Sequence, residues 1–254
     1  MNTLELPGLL EQQIVNGIMR GYKEYLEIRK SANEKLAVSG AYAWVKGNHI
    51  DSSVKVSVSS LENISVQSAK AGFAWEYLQF ITKSEDAVSK SLIFVKSSRS
   101  MMKKFDGETA TINTDNYLYG YSEINNRLIA TGKLKGQQSK KKVQLELVLP
   151  GEPWMKPDSV PLLAEFSRFY IVTYEIDNES KQVSQIKLTM PSQLEMSLIE
   201  ITDLTPLIEN SKVTFTEDDF DVIRKDRIPD AVYNDESFGY EVSPETKGNR
   251  MSKE

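Results

Sequence analysis

Between Leu9 and Val38 the apolar residues of this sequence fall three and four apart. Leu10, Ile14, Ile18, Tyr22, Tyr25, Leu26 and Arg29 share one face, while Glu11, Arg20, Lys23, Glu24 and Glu27 fall on the others. That period is the mark of an amphipathic α-helix. A helix with one apolar stripe has to bury it against another layer, so the remainder of the chain must supply that layer. Pro7 suits the helix start, and Ser39-Gly40 predicts its end through a C-terminal glycine. Gly17 and Gly21 lie four apart and let another element approach closely, which reads as packing.

After this helix the period changes from near 3.6 to 2. Val54, Val56 and Val58 alternate with Lys55 and Ser57, which predicts a half-buried strand. Phe73 to Thr82 and Ser91 to Val95 read as further strands. Asn116 to Ala130 reads as helix, with Gly132 after it. Val143 to Leu149 alternates until Pro150, and Gly151, Pro153 and Pro157 make a stiff connector. Two apolar runs, Phe169–Tyr174 and Val183–Leu188, flank the polar Asp177-Asn178-Glu179-Ser180 as a hairpin. Leu198 to Ile201 adds a strand. Thr216 then caps a helix whose first turn is Glu217-Asp218-Asp219.

These elements predict an α+β fold: a long N-terminal helix packed on a mostly antiparallel sheet, a hairpin-rich second half and a flexible acidic C-terminus. One domain over 1–229 is expected, with 150–157 as a sub-boundary and 230–254 as an acidic tail poor in aliphatics. No internal repeat or heptad seam is present.

Composition narrows the chemistry. The sequence has no cysteine, so thiolate nucleophiles, disulfides and zinc–sulfur sites are excluded. His49 is its one histidine, which excludes a two-histidine metal site within one chain. An enzyme on this chain would have to work with carboxylates, lysines, tyrosines or serines. Phosphate-binding glycine loops, a serine elbow and an EF-hand loop are all absent, and no cofactor is expected. The start lacks a secretory pattern, and no uncharged apolar run approaches the roughly 20 residues that span a bilayer. A cytoplasmic, membrane-free protein is the expectation.

Charge divides the chain. Over 1–142 twenty Lys and Arg stand against fourteen Asp and Glu; over 143–254 eleven stand against twenty-two. Two basic segments stand out in the first part. One runs from Lys96 through Arg99 to Lys103 and Lys104, directly after an apolar strand, with Ser97 or Ser98 placed to open a helix. The other carries Lys133, Lys135, Lys140, Lys141 and Lys142 among glycines. Lysines on such segments can follow a phosphate backbone without reading sequence. A smaller candidate site is Trp44, His49 and Asp51, in a turn where Asp51 would favour the imidazolium and Trp44 or Tyr42 could stack a base.

These features predict a non-catalytic nucleic-acid-associated or protein-interaction module, a subunit of a larger assembly. Its basic half would meet nucleic acid or another polyanion, and its acidic C-terminal segment a basic protein. A magnesium-dependent nuclease or phosphotransfer enzyme is the rival. Its carboxylates would have to come from sets such as Asp158 with Glu179-Ser180-Lys181. An acidic inhibitor that imitates nucleic acid is the third reading.

Overall fold

The structure is a computed structural model that describes residues 4–71, 75–83, 89–105, 117–134 and 165–224. Helix α1 spans Gly8–Lys35, with the Pro7 carbonyl accepting from the amides of Leu10 and Glu11. Its buried face takes in the predicted stripe, from Leu10 to Ala32, and also Glu11, which the periodicity places on another face. The helix stops earlier than Ser39-Gly40 suggests. Leu36 already has extended dihedrals, and its amide caps the Ala32 carbonyl. Beyond Ala32 no residue of α1 is buried, and Leu36 and Val38 are exposed, so burial stabilises no further turn. Gly40 instead opens a 3₁₀ segment, Gly40–Val45.

The predicted strand at Val54–Val58 is a helix. Helix α2 covers Lys46–Val58 and buries Ile50, Ser53, Val54, Ser57 and Val58, while Val56 is 63% exposed. The alternating valines are incidental; the spacing that governs is Ile50, Val54 and Val58, at steps of four. Packing overrides the β-preference of valine here. A Cβ placed on Gly17 would collide with the Cα of Val54, and one on Gly21 would lie 2.6 Å from the Cα of Ile50. The two glycines thus let the α1 and α2 backbones touch.

Six strands form one sheet in chain order: β1 Ile64–Ala71, β2 Trp75–Lys83, β3 Lys90–Ser97, β4 Phe166–Ile176, β5 Val183–Ser192 and β6 Ser197–Asp203. All neighbours pair antiparallel except β3 and β4, which run parallel at the centre. The expected α+β fold with a mostly antiparallel sheet is therefore observed, and the Asp177–Ser180 hairpin joins β4 to β5 as predicted. The parallel pair explains why Leu92–Val95 and Phe169–Tyr174 are continuous buried runs rather than alternating ones. Central strands covered on both faces have no wet side.

Ile93, Val95, Tyr170, Val172, Tyr174, Ile186 and Leu188 share one core with α1, α2 and the C-terminal helix α6, Glu217–Arg224. Leu92, Phe94, Phe169 and Ile171 face a second core with Met101 of helix α3, Ser98–Lys104, Phe105 directly after it, and Leu118 of helix α4, Tyr117–Ser122. A 3₁₀ turn, Glu123–Asn125, and helix α5, Asn126–Ala130, follow α4. Asn125 is fully buried. Its Nδ2 donates to the carbonyls of Phe169 (2.9 Å) and Pro191 (3.0 Å), and its Oδ1 accepts from the Phe169 amide (3.0 Å). The β4–β5 ladder extends only to Ile171 opposite Thr189, and Pro191 has no N–H to continue it. Asn125 replaces the missing rung.

Candidate polyanion-binding surface

The basic segment after β3 folds as a capped helix. Ser97 is extended, and its hydroxyl accepts from the Ser100 amide at 3.3 Å, as the sequence suggested. Met101 is buried in the second core and fixes the rotation of α3. At about 100° per residue, half-buried Arg99 and exposed Lys103 then sit opposite Met101, one turn apart. Lys103 is exposed and Met102, beside them, is 62% exposed. Arg99 Nη2 donates to Asn178 Oδ1 of the β4–β5 turn at 3.2 Å, which ties the helix to the carboxyl end of β4.

Lys96 and Lys104 sit differently. The Lys96 ammonium lies 5.4 Å from the ring centre of Tyr77 on β2. Tyr77 stacks on Tyr117 at 4.6 Å and meets Phe94 edge-on at 5.1 Å. Burial pushes the Tyr77 hydroxyl far above its ordinary range, with the Tyr121 hydroxyl adding to the effect. Gln79, also buried, accepts from Gln67 and donates to Tyr121 at 2.8 Å. This aromatic and amide group supports α4 and carries Lys96 above it. Lys104, at the end of α3, is half-buried.

The second basic segment is described only at its start. Gly132 has φ +66°, and the amides of Lys133 and Leu134 both bond the Leu128 carbonyl, closing α5. Lys133 is exposed, while Leu134 is buried in the first core. α5 follows Asn125, which is fixed at Phe169; Arg99 is fixed at Asn178. Those two points on the β4 hairpin are roughly 30 Å apart along an extended strand. The Asn125 anchor that precedes α5 and the Arg99 anchor of α3 thus sit toward opposite ends of β4. Lys135, Lys140, Lys141 and Lys142 lie outside the described residues, as do the strand expected at 143–149, the connector at 150–157 and the acidic tail at 230–254.

The turn site expected around His49 is not formed as such. His49 and Asp51 belong to α2, and Trp44 to the preceding 3₁₀ segment. Residues two apart on a helix point to different sides, so His49 and Asp51 do not face each other. The His49 ring lies 6.4 Å from that of Tyr25, in the α1–α2 contact. Of the carboxylate set of the nuclease reading, only the Glu179-Ser180-Lys181 part lies among the described residues. Glu179, Ser180 and Lys181 form the hairpin turn, where Asp177 Oδ1 accepts from the amides of Glu179 and Ser180 and from the Ser180 hydroxyl. Those bonds hold the Asp177 carboxyl below its usual range. Asp158 lies outside the described residues, and among the described residues no three acidic or histidine side chains converge to hold a metal ion.

The start of the acidic segment is folded onto the body. Asp219 Oδ2 accepts from the Thr216 amide at 2.7 Å, which with nearby Lys23 and Lys30 keeps its carboxyl below the usual range. Lys23 also donates to the Thr214 carbonyl at 2.6 Å. Phe215 stacks on Phe220 at 5.6 Å and packs against Tyr22 at 5.8 Å. The sequence places this helix and allows its acids to cover the chain's own basic half, but does not point to α1 as the element it docks on. The Tyr77–Gln79–Tyr121 group was also missed, although Tyr117 and Tyr121 four apart, and Tyr77 and Gln79 two apart, each mark a shared face. No described helix is long and apolar enough to cross a membrane. Comparison with protein families, curated proteins and solved structures finds no match to this chain.

Proposed function

We propose that this chain is a non-catalytic, nucleic-acid-associated module that acts as a subunit of a larger cytoplasmic assembly, contacting a phosphate backbone through α3. The observation that carries this reading is the pair Arg99 and Lys103, one turn apart on the face of α3 opposite buried Met101. Arg99 keeps donors beyond the one given to Asn178, and a guanidinium holds a phosphate bidentately. The contact is electrostatic and reads no base, so it favours polyanions over any particular sequence. Asp219 of α6 lies near Lys23 and Lys30 of α1, which supports the basic helix α3 rather than α6 as the contact surface.

Anisotropy titrations of labelled DNA and RNA duplexes and single strands against added salt test it. Binding should weaken linearly on logarithmic axes, and the double change Arg99→Ala, Lys103→Ala should reduce that slope by about two without altering preference among sequences. Nucleic acid should remain intact with Mg²⁺ or Mn²⁺ present. A wild-type chain that binds nothing at low salt, or a double variant with an unchanged slope, overturns the proposal.

A further inference from the structure

We infer that β1 is a self-pairing edge through which two copies of this chain join into one continuous sheet. Among the described strands β1 and β6 are the terminal ones, and they differ sharply. On β6 the register slips opposite Leu188 and Thr189, leaving Ile201 as an extra residue, and the strand carries Glu200 and Asp203. A bulge and charges of this kind blunt an edge. β1 is eight residues long with an unbroken register against β2 from Ile64 to Ala71, no proline, and Lys70 as its single charge.

The direction of the backbone groups that no described strand pairs follows from one bond. The Lys83 amide donates to the Asn63 carbonyl, so the odd-numbered residues of this strand turn their backbone groups toward β2. In an antiparallel ladder the even-numbered ones, Ile64, Val66, Ser68 and Lys70, then direct theirs to the outer edge. A partner strand must therefore set even residues opposite even residues.

Charge selects the partner and the register. Glu62, in the turn that leads into the strand, and Lys70, near its end, are both exposed and stand four residues either side of Val66. A second copy running antiparallel about a twofold axis at Val66 places Glu62 of each chain opposite Lys70 of the other. Val66 then pairs with its own symmetry mate, and Ile64 pairs with Ser68. Such a strand is its own complement, the requirement for a twofold interface.

Sedimentation velocity of the full chain from about 1 to 100 µM reads the outcome. A concentration-dependent dimer is expected. Glu62→Lys or Lys70→Glu alone should weaken it by roughly tenfold or more, because each reversal sets like charges opposite one another twice. An equimolar mixture of the two single variants, and the double variant Glu62→Lys, Lys70→Glu, should each recover dimer, since both restore opposite charges. Ser68→Pro removes an outward N–H without touching the β2 ladder, and should give a folded monomer. A wild-type chain monomeric throughout the range overturns the inference. So does a dimer indifferent to both reversals. Neither result bears on the α3 surface, which the nucleic-acid titrations test separately.

Discussion

Glu11 shows how a single residue sets a term in the stability of the whole protein. It lies in the first turn of α1, where the helix dipole favours an acid. Yet it is only 9% exposed, and its Oε1 finds no hydrogen-bond partner among the described residues. Burial pushes its carboxyl above the ordinary 4.5, opposed by the Leu6 amide and reinforced by Glu5. A carboxyl raised in this way favours folding while protonated and costs stability as pH rises through its folded value. Glu11→Gln is therefore expected to stabilise the protein at neutral pH, with the advantage vanishing below the ordinary carboxyl value. Urea melts at the two pH values check this; an equal shift at both would mean that shape, not charge, decides. Asn125 is the opposite case, a buried polar side chain with every described bond made. Neither environment is visible in the sequence, because burial is created by strands forty and more positions away.

At the scale of elements, legibility follows locality. α1, the β4–β5 hairpin and the Ser97-capped α3 were all readable because their signals are a period, a turn composition and a cap, each within a few residues. α2 was misread because Val54, Val56 and Val58 satisfy a strand pattern locally. What decides the outcome is contact with Gly17 and Gly21, which precede their partners Val54 and Ile50 by 37 and 29 residues. The same contact gives a sharp prediction. Gly17→Ala would drive a methyl group into the Val54 backbone, which cannot rotate aside, and overpacking of this kind costs about 1–3 kcal/mol or more. Gly8→Ala meets nothing within 4 Å and should gain up to about 1 kcal/mol from helix propensity. Thermal melts of the two variants should move in opposite directions. Matching shifts would mean that the helices do not touch at Gly17.

Across the whole molecule, the division of charge along the chain was legible and its arrangement in space was not. The sequence suggested opposite potentials on separate regions, but the start of the acidic segment returns to α1 and lies beside Lys23 and Lys30. Two forces could hold it there, and their sizes decide between them. Asp219 makes one amide bond at the helix start, and its loss should cost about 1 kcal/mol, as helix caps do; exposed charge pairs add little. Phe220 is 1% exposed within the first core, and cutting it to alanine should cost about 3–5 kcal/mol. Apolar burial, not attraction between the charges, is then what docks α6, and the charges select its orientation. Chemical denaturation of Asp219→Ala and Phe220→Ala at low and at high salt separates the two. Phe220→Ala should cost several times more at either salt concentration, and the wild-type midpoint should shift little with salt. If Asp219→Ala proves the costlier change, or salt alone releases the helix, then electrostatics holds the acidic segment on the body and the basic face of α1 is open to competition by polyanions.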